Sequence, residues 1–136
     1  MRQLAVTTAV LAGLAGAALG EGCELADGMP SPEIEALNQL MLDLKFEDFS
    51  KALQAQANMN IDGVLASLTE DYAAGLTGCR TIAQRRDVGG MTQNLVFFRG
   101  KSGPLFLYWL YVQTGDEFQL LKFKLDSDLD LMEVLR

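Results

Sequence analysis

The sequence contains no histidine, only two cysteines and only three prolines among its 136 residues. Without histidine the chain cannot build a Ser-His-Asp triad, a Cys-His dyad or a metal site with imidazole ligands. Basic residues are also scarce, since 11 lysines and arginines face 18 acidic residues, for a net charge of −7. A nucleic-acid-binding surface needs clustered cations to displace counterions from phosphates. The composition therefore argues against nucleic acid, and against an anionic membrane surface, as the partner.

The one long apolar stretch lies at the amino terminus. Residues 1–20 contain Arg2, then an apolar stretch, then Ala18-Leu19-Gly20. This order is typical of a secretory signal peptide with its cleavage site. No later stretch reaches the roughly 20 apolar residues that a membrane span needs. We therefore expect a periplasmic or secreted protein whose mature chain begins at Glu21 and lacks a membrane span.

Two cysteines, Cys23 and Cys79, remain in the mature chain. An even number of cysteines in an oxidising compartment predicts one disulfide between them. The bridge pins an amino-terminal arm, residues 21–31, whose glycines and proline favour irregular structure. No Cys-x-x-Cys pair is present, and neither a metal nor a cofactor is expected.

The first half of the chain has helical periodicity. Ser31 suits a helix N-cap, and apolar residues recur at helical spacing over residues 32–57. This pattern predicts one long helix, or two helices separated near Lys45. A further helix, capped by Asn60, is expected to continue to Leu76 before glycines end it.

The second half has the composition of strands. Residues 105–112 are continuously apolar, which favours a strand buried on both faces, and residues 79–92 fit either a short strand or a loop. Helices followed by strands indicate an α+β fold. We expect one domain over residues 32–136, with two or three amino-terminal helices packed on a curved antiparallel sheet of three to five strands. The predicted strands cover residues 93–99, 104–114, 117–125 and 129–135.

Three aspartates, Asp126, Asp128 and Asp130, have the spacing with which an EF-hand calcium loop begins. Leu131 stands where that loop needs glycine, and the chain ends before the twelfth loop position. Aspartate and serine are common in turns, and so we expect a polar turn here without a metal.

Aromatic residues are concentrated in the predicted strands. Because side chains alternate along a strand, Trp109 and Tyr111 share one face and Tyr108 lies on the other. One face packs on the helices. The other is a second packed layer, a self-association surface or the lining of an apolar pocket with tyrosine hydroxyls and the indole N–H as polar groups. The candidate pocket residues are Tyr72, Tyr108, Trp109 and Tyr111.

Three arginines, Arg80, Arg85 and Arg86, follow Cys79 closely. In an acidic chain this cluster is a candidate for binding an anion or an acidic group of a ligand. The alternative is that these arginines pair with nearby acids such as Asp87, as exposed ion pairs commonly do.

From residue 46 to residue 135 the layout resembles small exported domains of the nuclear-transport-factor-2-like class. Residues 46–53 (Phe-Glu-Asp-Phe-Ser-Lys-Ala-Leu) are similar to an opening helix of that class, and residues 64–76 to its second helix. Residues 123–130 (Phe-Lys-Leu-Asp-Ser-Asp-Leu-Asp) are similar to its last strands and acidic turn. The resemblance implies a cone-like half-barrel with a pocket between sheet and helices. Enzymes of the class often use an Asp-His pair, which this chain lacks, and members without it are commonly ligand-binding or dimeric.

These observations favour an exported, non-enzymatic binding or interaction domain that holds a small apolar ligand between sheet and helices, or binds a protein partner. One alternative is a histidine-free isomerase or hydrolase that uses a buried carboxylate and a tyrosine. The other is a structural or dimeric component of envelope assembly that uses an apolar sheet face.

Overall fold

The computed structural model describes residue 23 and residues 31–128. Within these residues, three helices are followed by four strands, which confirms the predicted α+β fold. The predicted leader (residues 1–20), most of the predicted arm (residues 21–31) and the predicted last strand (residues 129–135) lie outside the described residues. The helices are α1 (Pro32–Leu42), α2 (Phe46–Ala57) and α3 (Asp62–Asp71), and the strands are β1 (Leu76–Arg86), β2 (Met91–Gly100), β3 (Gly103–Thr114) and β4 (Glu117–Asp126).

The amino-terminal helices begin and end where local side-chain chemistry favours it. The Ser31 hydroxyl accepts a hydrogen bond from the Ile34 N–H at 3.4 Å, as an N-cap does, which confirms the predicted start of α1. Residues 32–57 form two helices, because Leu44 takes a left-handed φ of 60° and reverses the chain before Lys45. The Asn60 carboxamide oxygen accepts from the Asp62 N–H at 2.7 Å at the start of α3.

Helix α3 is shorter than its apolar periodicity predicts. It ends at Asp71, and Leu76, the last residue of the predicted apolar stripe, begins β1 instead. Gly75 has a φ of 107°, a conformation that L side chains rarely adopt, and here the chain turns from helix to strand. Residues 79–92, which the sequence assigned to a strand or a loop, contribute most of β1 and a 3₁₀ turn at Val88–Gly90.

The sheet is an open antiparallel meander in which the four strands lie in the order β1-β2-β3-β4. Within the described part of the chain β1 and β4 are therefore its edges. Each edge strand carries a bulge. The register of β1 shifts at Thr77, between Leu76 and Gly78, and again at Ile82, between Thr81 and Ala83, and Leu121 is the extra residue of β4.

The helices pack on one face of this sheet and form the main hydrophobic core with it. Trp109 and Phe49 lie at its centre, with ring centroids 6.0 Å apart, and both are fully buried. The core also contains the Cys23–Cys79 disulfide, whose Cα atoms are 5.0 Å apart, as predicted from the sequence. The Cys23 N–H donates to Glu35 on α1, and its carbonyl oxygen accepts from the Thr81 hydroxyl on β1. The bridge thus joins the amino-terminal region to both layers.

A second, smaller group of buried side chains lies on the opposite face of the sheet. It consists of Leu95, Phe106 and Tyr108, and its other described members are also strand residues. The prediction that β3 is buried on both faces is therefore confirmed. We call this side the outer face.

Candidate functional site

Trp109, a predicted pocket residue, lies in the core between sheet and helices. Its ring contacts Phe49 and Phe123, and its indole N–H donates to the Asn38 carboxamide oxygen at 2.9 Å. Asn38 is itself buried on α1. The indole N–H, which a ligand pocket would have used as a polar group, thus forms a hydrogen bond between a helix and the sheet.

Tyr111 lies on the same face, and its ring is 5.6 Å from that of Phe118. Its hydroxyl oxygen accepts from the Asn94 carboxamide at 3.4 Å. Burial raises the pKa of Tyr111, while the hydrogen bond from Asn94 and the nearby Arg86 cation act in the opposite direction. Neither Trp109 nor Tyr111 lines the cavities of about 250, 300 and 870 Å³ that are described below.

Tyr108 is buried on the outer face, as strand alternation predicts. Its hydroxyl donates to the Gln93 carboxamide oxygen at 2.8 Å. Burial, and then the charge of Asp87, raise the pKa of Tyr108. The four aromatic candidates therefore do not form one site, because the sheet separates Tyr108 from the others.

Tyr72 lines a cavity of about 250 Å³ between α3 and the ends of β3 and β4. Asp71 and Asp126 line the same cavity, but Asp71 is exposed and Asp126 is only half-buried, whereas the enzymatic alternative requires a buried carboxylate. Burial, followed by these two carboxylates, raises the pKa of Tyr72, and its hydroxyl donates to the Pro104 carbonyl oxygen at 2.8 Å. A proton held in this way suits a structural hydrogen bond better than acid–base catalysis.

The three predicted arginines lie in different surroundings. Arg85 pairs with Asp87 at 3.0 Å, the single salt bridge between residues that the structure describes. Arg86 lies opposite Thr92 and therefore on the helix side of the sheet, whereas Arg80 lies opposite Phe97 on the outer face.

Arg80 lines a cavity together with Arg99, a residue that was not among the candidates predicted from the sequence. The two guanidinium-bearing side chains line a cavity of about 300 Å³ on the outer face, which we call the β1–β2 cleft. Ile82 and Phe97 form its apolar walls, with Ile82 40% exposed. Its complete lining is Gly78, Cys79, Arg80, Ile82, Phe97 and Arg99. The alternation of Phe97 and Arg99 along β2 was visible in the sequence, but their position opposite β1 was not.

A third cavity, a broad groove of about 870 Å³, separates the loop before α2 and the start of α2 from α3. Phe46 and Leu65 contribute apolar surface to it, and its rim carries mainly carboxylates: Glu47, Asp48, Asp62 and Glu70. This groove attracts cations in general but contains no feature that selects a ligand.

The part of the chain that the structure describes contains no cluster of three or more potential metal-ligating Cys, Asp or Glu side chains. None of the helices described is both long and apolar enough to cross a membrane. No protein-family model, curated protein or solved structure matches this chain.

Proposed function

We propose that this protein is an exported, non-enzymatic binding domain that holds a small apolar or amphipathic molecule in the β1–β2 cleft. The observation that carries the proposal is the exposed side chain of Ile82 beside Phe97 inside a cavity of about 300 Å³. That size is at the lower end of the range for small-molecule sites. The cleft lies on the outer face, whereas the sequence predicted a ligand between sheet and helices.

The lining of the cleft supports binding over catalysis. Ile82 and Phe97 offer apolar contact, and Arg80 and Arg99 offer cationic hydrogen-bond donors. The tyrosines proposed for acid–base chemistry lie elsewhere, and each of their hydroxyls takes part in a hydrogen bond within the fold. The apolar walls and the two arginines of the cleft can therefore orient a ligand, but the lining offers no group suited to accept a proton from it or donate one to it.

The leader-like residues 1–20 and the Cys23–Cys79 disulfide support export, since disulfides persist in oxidising compartments. Protein recovered from the producing cell's periplasm or medium is expected to begin at Glu21. Intact mass should also show two hydrogens fewer than the reduced chain. A full-length, reduced cytoplasmic protein would contradict this part of the proposal.

Binding can be tested with N-phenyl-1-naphthylamine, a neutral fluorescent probe of suitable size. We expect Ile82→Ser to weaken its binding about tenfold, because a buried aliphatic side chain contributes roughly 1.5–3 kcal/mol. Leu121→Ser is the matched control, because Leu121 is the bulge residue of the other edge strand and is 38% exposed. Far-ultraviolet circular dichroism verifies that both variants fold.

Equal binding by the wild-type protein and Ile82→Ser would overturn the assignment of the ligand to this cleft. Absence of probe binding at the probe's solubility limit would overturn the ligand proposal altogether. The dimeric alternative predicts a different outcome. The wild-type protein would sediment with the mass of two chains, and the Ile82→Ser variant with the mass of one. Native mass spectrometry of the exported protein would identify a ligand that co-purifies.

A further inference from the structure

The pairing of β1 with β2 places two arginines side by side on the outer face. Arg80 lies opposite Phe97, and Arg99 lies opposite Gly78, two positions along β1 from Arg80. Residues related in this diagonal way across an antiparallel pair are about 7–8 Å apart and share a face. Both side chains line the β1–β2 cleft and both are exposed.

Neither guanidinium group has an acidic partner among the residues described, since the single ion pair there joins Arg85 to Asp87. Two cations at this separation repel one another, and each has hydrogen-bond donors available to a ligand. Arg85 provides the contrast, because it lies on the same strand and face but has its own carboxylate.

We propose that Arg80 and Arg99 together bind a single oxyanion, a carboxylate or a group of similar geometry, at the end of an apolar ligand. The inference rests on the proposed function and names the chemical class of the ligand. Guanidinium groups match the geometry of carboxylate, sulfonate and phosphate oxygens and bind them through paired hydrogen bonds. Ile82 and Phe97 then contact the apolar part of the same molecule.

Charges elsewhere in the protein favour a small anion over a polymeric one. Every charged residue of the three helices except Lys51 is acidic, whereas the outer face carries five of the six cations of the strands beside two carboxylates, Glu117 and Asp126. These cations are Arg80, Arg85, Arg99, Lys122 and Lys124. A compact amphiphile with one charged end is attracted to this face without meeting the acidic helices.

A matched pair of probes tests the assignment. 1-Anilinonaphthalene-8-sulfonate has the ring system of N-phenyl-1-naphthylamine and adds one sulfonate. We expect the wild-type protein to bind the anionic probe at least tenfold more tightly than the neutral one. Arg80→Gln and Arg99→Gln should each remove about tenfold of the anionic probe's affinity and leave the neutral probe's affinity within twofold, since a hydrogen bond to a charged group contributes roughly 1.5–3 kcal/mol.

Arg85→Gln is the control, because it removes one positive charge from the same strand at an arginine that already has a carboxylate partner. It should change neither affinity more than about twofold, since exposed pairs contribute little. Raising the salt concentration should weaken binding of the anionic probe only, since salt screens charge interactions.

The outcomes separate this inference from the proposed function. If both probes bind the wild-type protein and both arginine variants equally well, the oxyanion site is wrong and the apolar binding function stands. If neither probe binds, the proposed function fails and the oxyanion site fails with it. If Arg85→Gln weakens the anionic probe as much as Arg80→Gln does, the effect is one of general charge and the paired site is overturned.

Discussion

The hydrogen bond between Asn38 and Trp109 joins α1 to β3 in the centre of the core, so breaking it from either side should destabilise the fold. Asn38 is 1% exposed and Trp109 is fully buried, with 2.9 Å between the indole nitrogen and the carboxamide oxygen. Asn38→Ala leaves a buried N–H without its acceptor. Trp109→Phe leaves the buried carboxamide oxygen of Asn38 without its donor, and it also replaces the indole with a smaller ring.

An unpaired buried polar group costs about 1–3 kcal/mol, and we expect each single variant to lose at least that much stability. For a domain of this size each kcal/mol lowers Tm by roughly 4 °C. In Asn38→Ala/Trp109→Phe both partners are gone, and no buried polar group is left unpaired. The double variant should therefore be about 1–3 kcal/mol more stable than the sum of the single losses predicts.

Denaturant unfolding followed by far-ultraviolet circular dichroism measures this difference, because tryptophan fluorescence is absent from two of the four proteins. The cost of the smaller ring is common to Trp109→Phe and the double variant and cancels from the comparison. Strictly additive losses, with the dependence on denaturant unchanged, would refute the claim that this bond couples helix and sheet. All measurements use the oxidised protein, so that the disulfide contributes equally.

Three further predictions concern the bridge, a buried tyrosine and a turn. Reducing the disulfide, whose cysteines are 56 residues apart, should cost about 4 kcal/mol, and an unchanged denaturation midpoint in reductant would contradict this. Burial raises the pKa of Tyr111 above its ordinary value of 10.0, so its contribution to stability is complete below pH 10.0 and is lost as the pH rises through the folded-state pKa. The free energy of unfolding should therefore fall above pH 10.0, and less steeply in Tyr111→Phe. Gly100→Ala should destabilise by about 1–3 kcal/mol, because its Cβ would meet the Gly103 carbonyl oxygen, whereas Gly78→Ala has open space and serves as the control.

Features that depend on nearby residues could be predicted from the sequence. The N-cap needs only a hydroxyl at Ser31, the residue before the helix, which accepts from the N–H of Ile34, three residues later. The buried strand β3 needs only a run of large apolar residues. The disulfide followed from the cysteine count and the predicted oxidising compartment. Each of these predictions needs only a short segment of the sequence or a count of one residue type.

Strand β1 was harder to predict, because only one of its eleven residues is buried and three of them are arginines. It forms a strand through pairing with β2 and through the bridge at Cys79, and both are contacts with distant parts of the chain. The approach of Arg80 to Arg99 depends on this register, since a shift by one residue would place the two side chains on opposite faces. Membership of the nuclear-transport-factor-2-like class likewise depends on distant contacts and stays a prediction.

The negative charge of the whole chain and an anion site in the β1–β2 cleft are compatible, because they act over different distances. At physiological ionic strength charges more than about 8 Å apart are largely screened, whereas the two guanidinium groups touch whatever occupies the cleft. A nucleic acid carries one charge about every 1.7 Å and would extend from the cleft toward carboxylates such as Asp126 at the opposite edge of the sheet. The ligand that we propose has a single terminal oxyanion, which would end at Arg80 and Arg99 in the lining of the cleft. Net charge thus argues against a polyanion, while the local pair of arginines supports the proposal of a small anion.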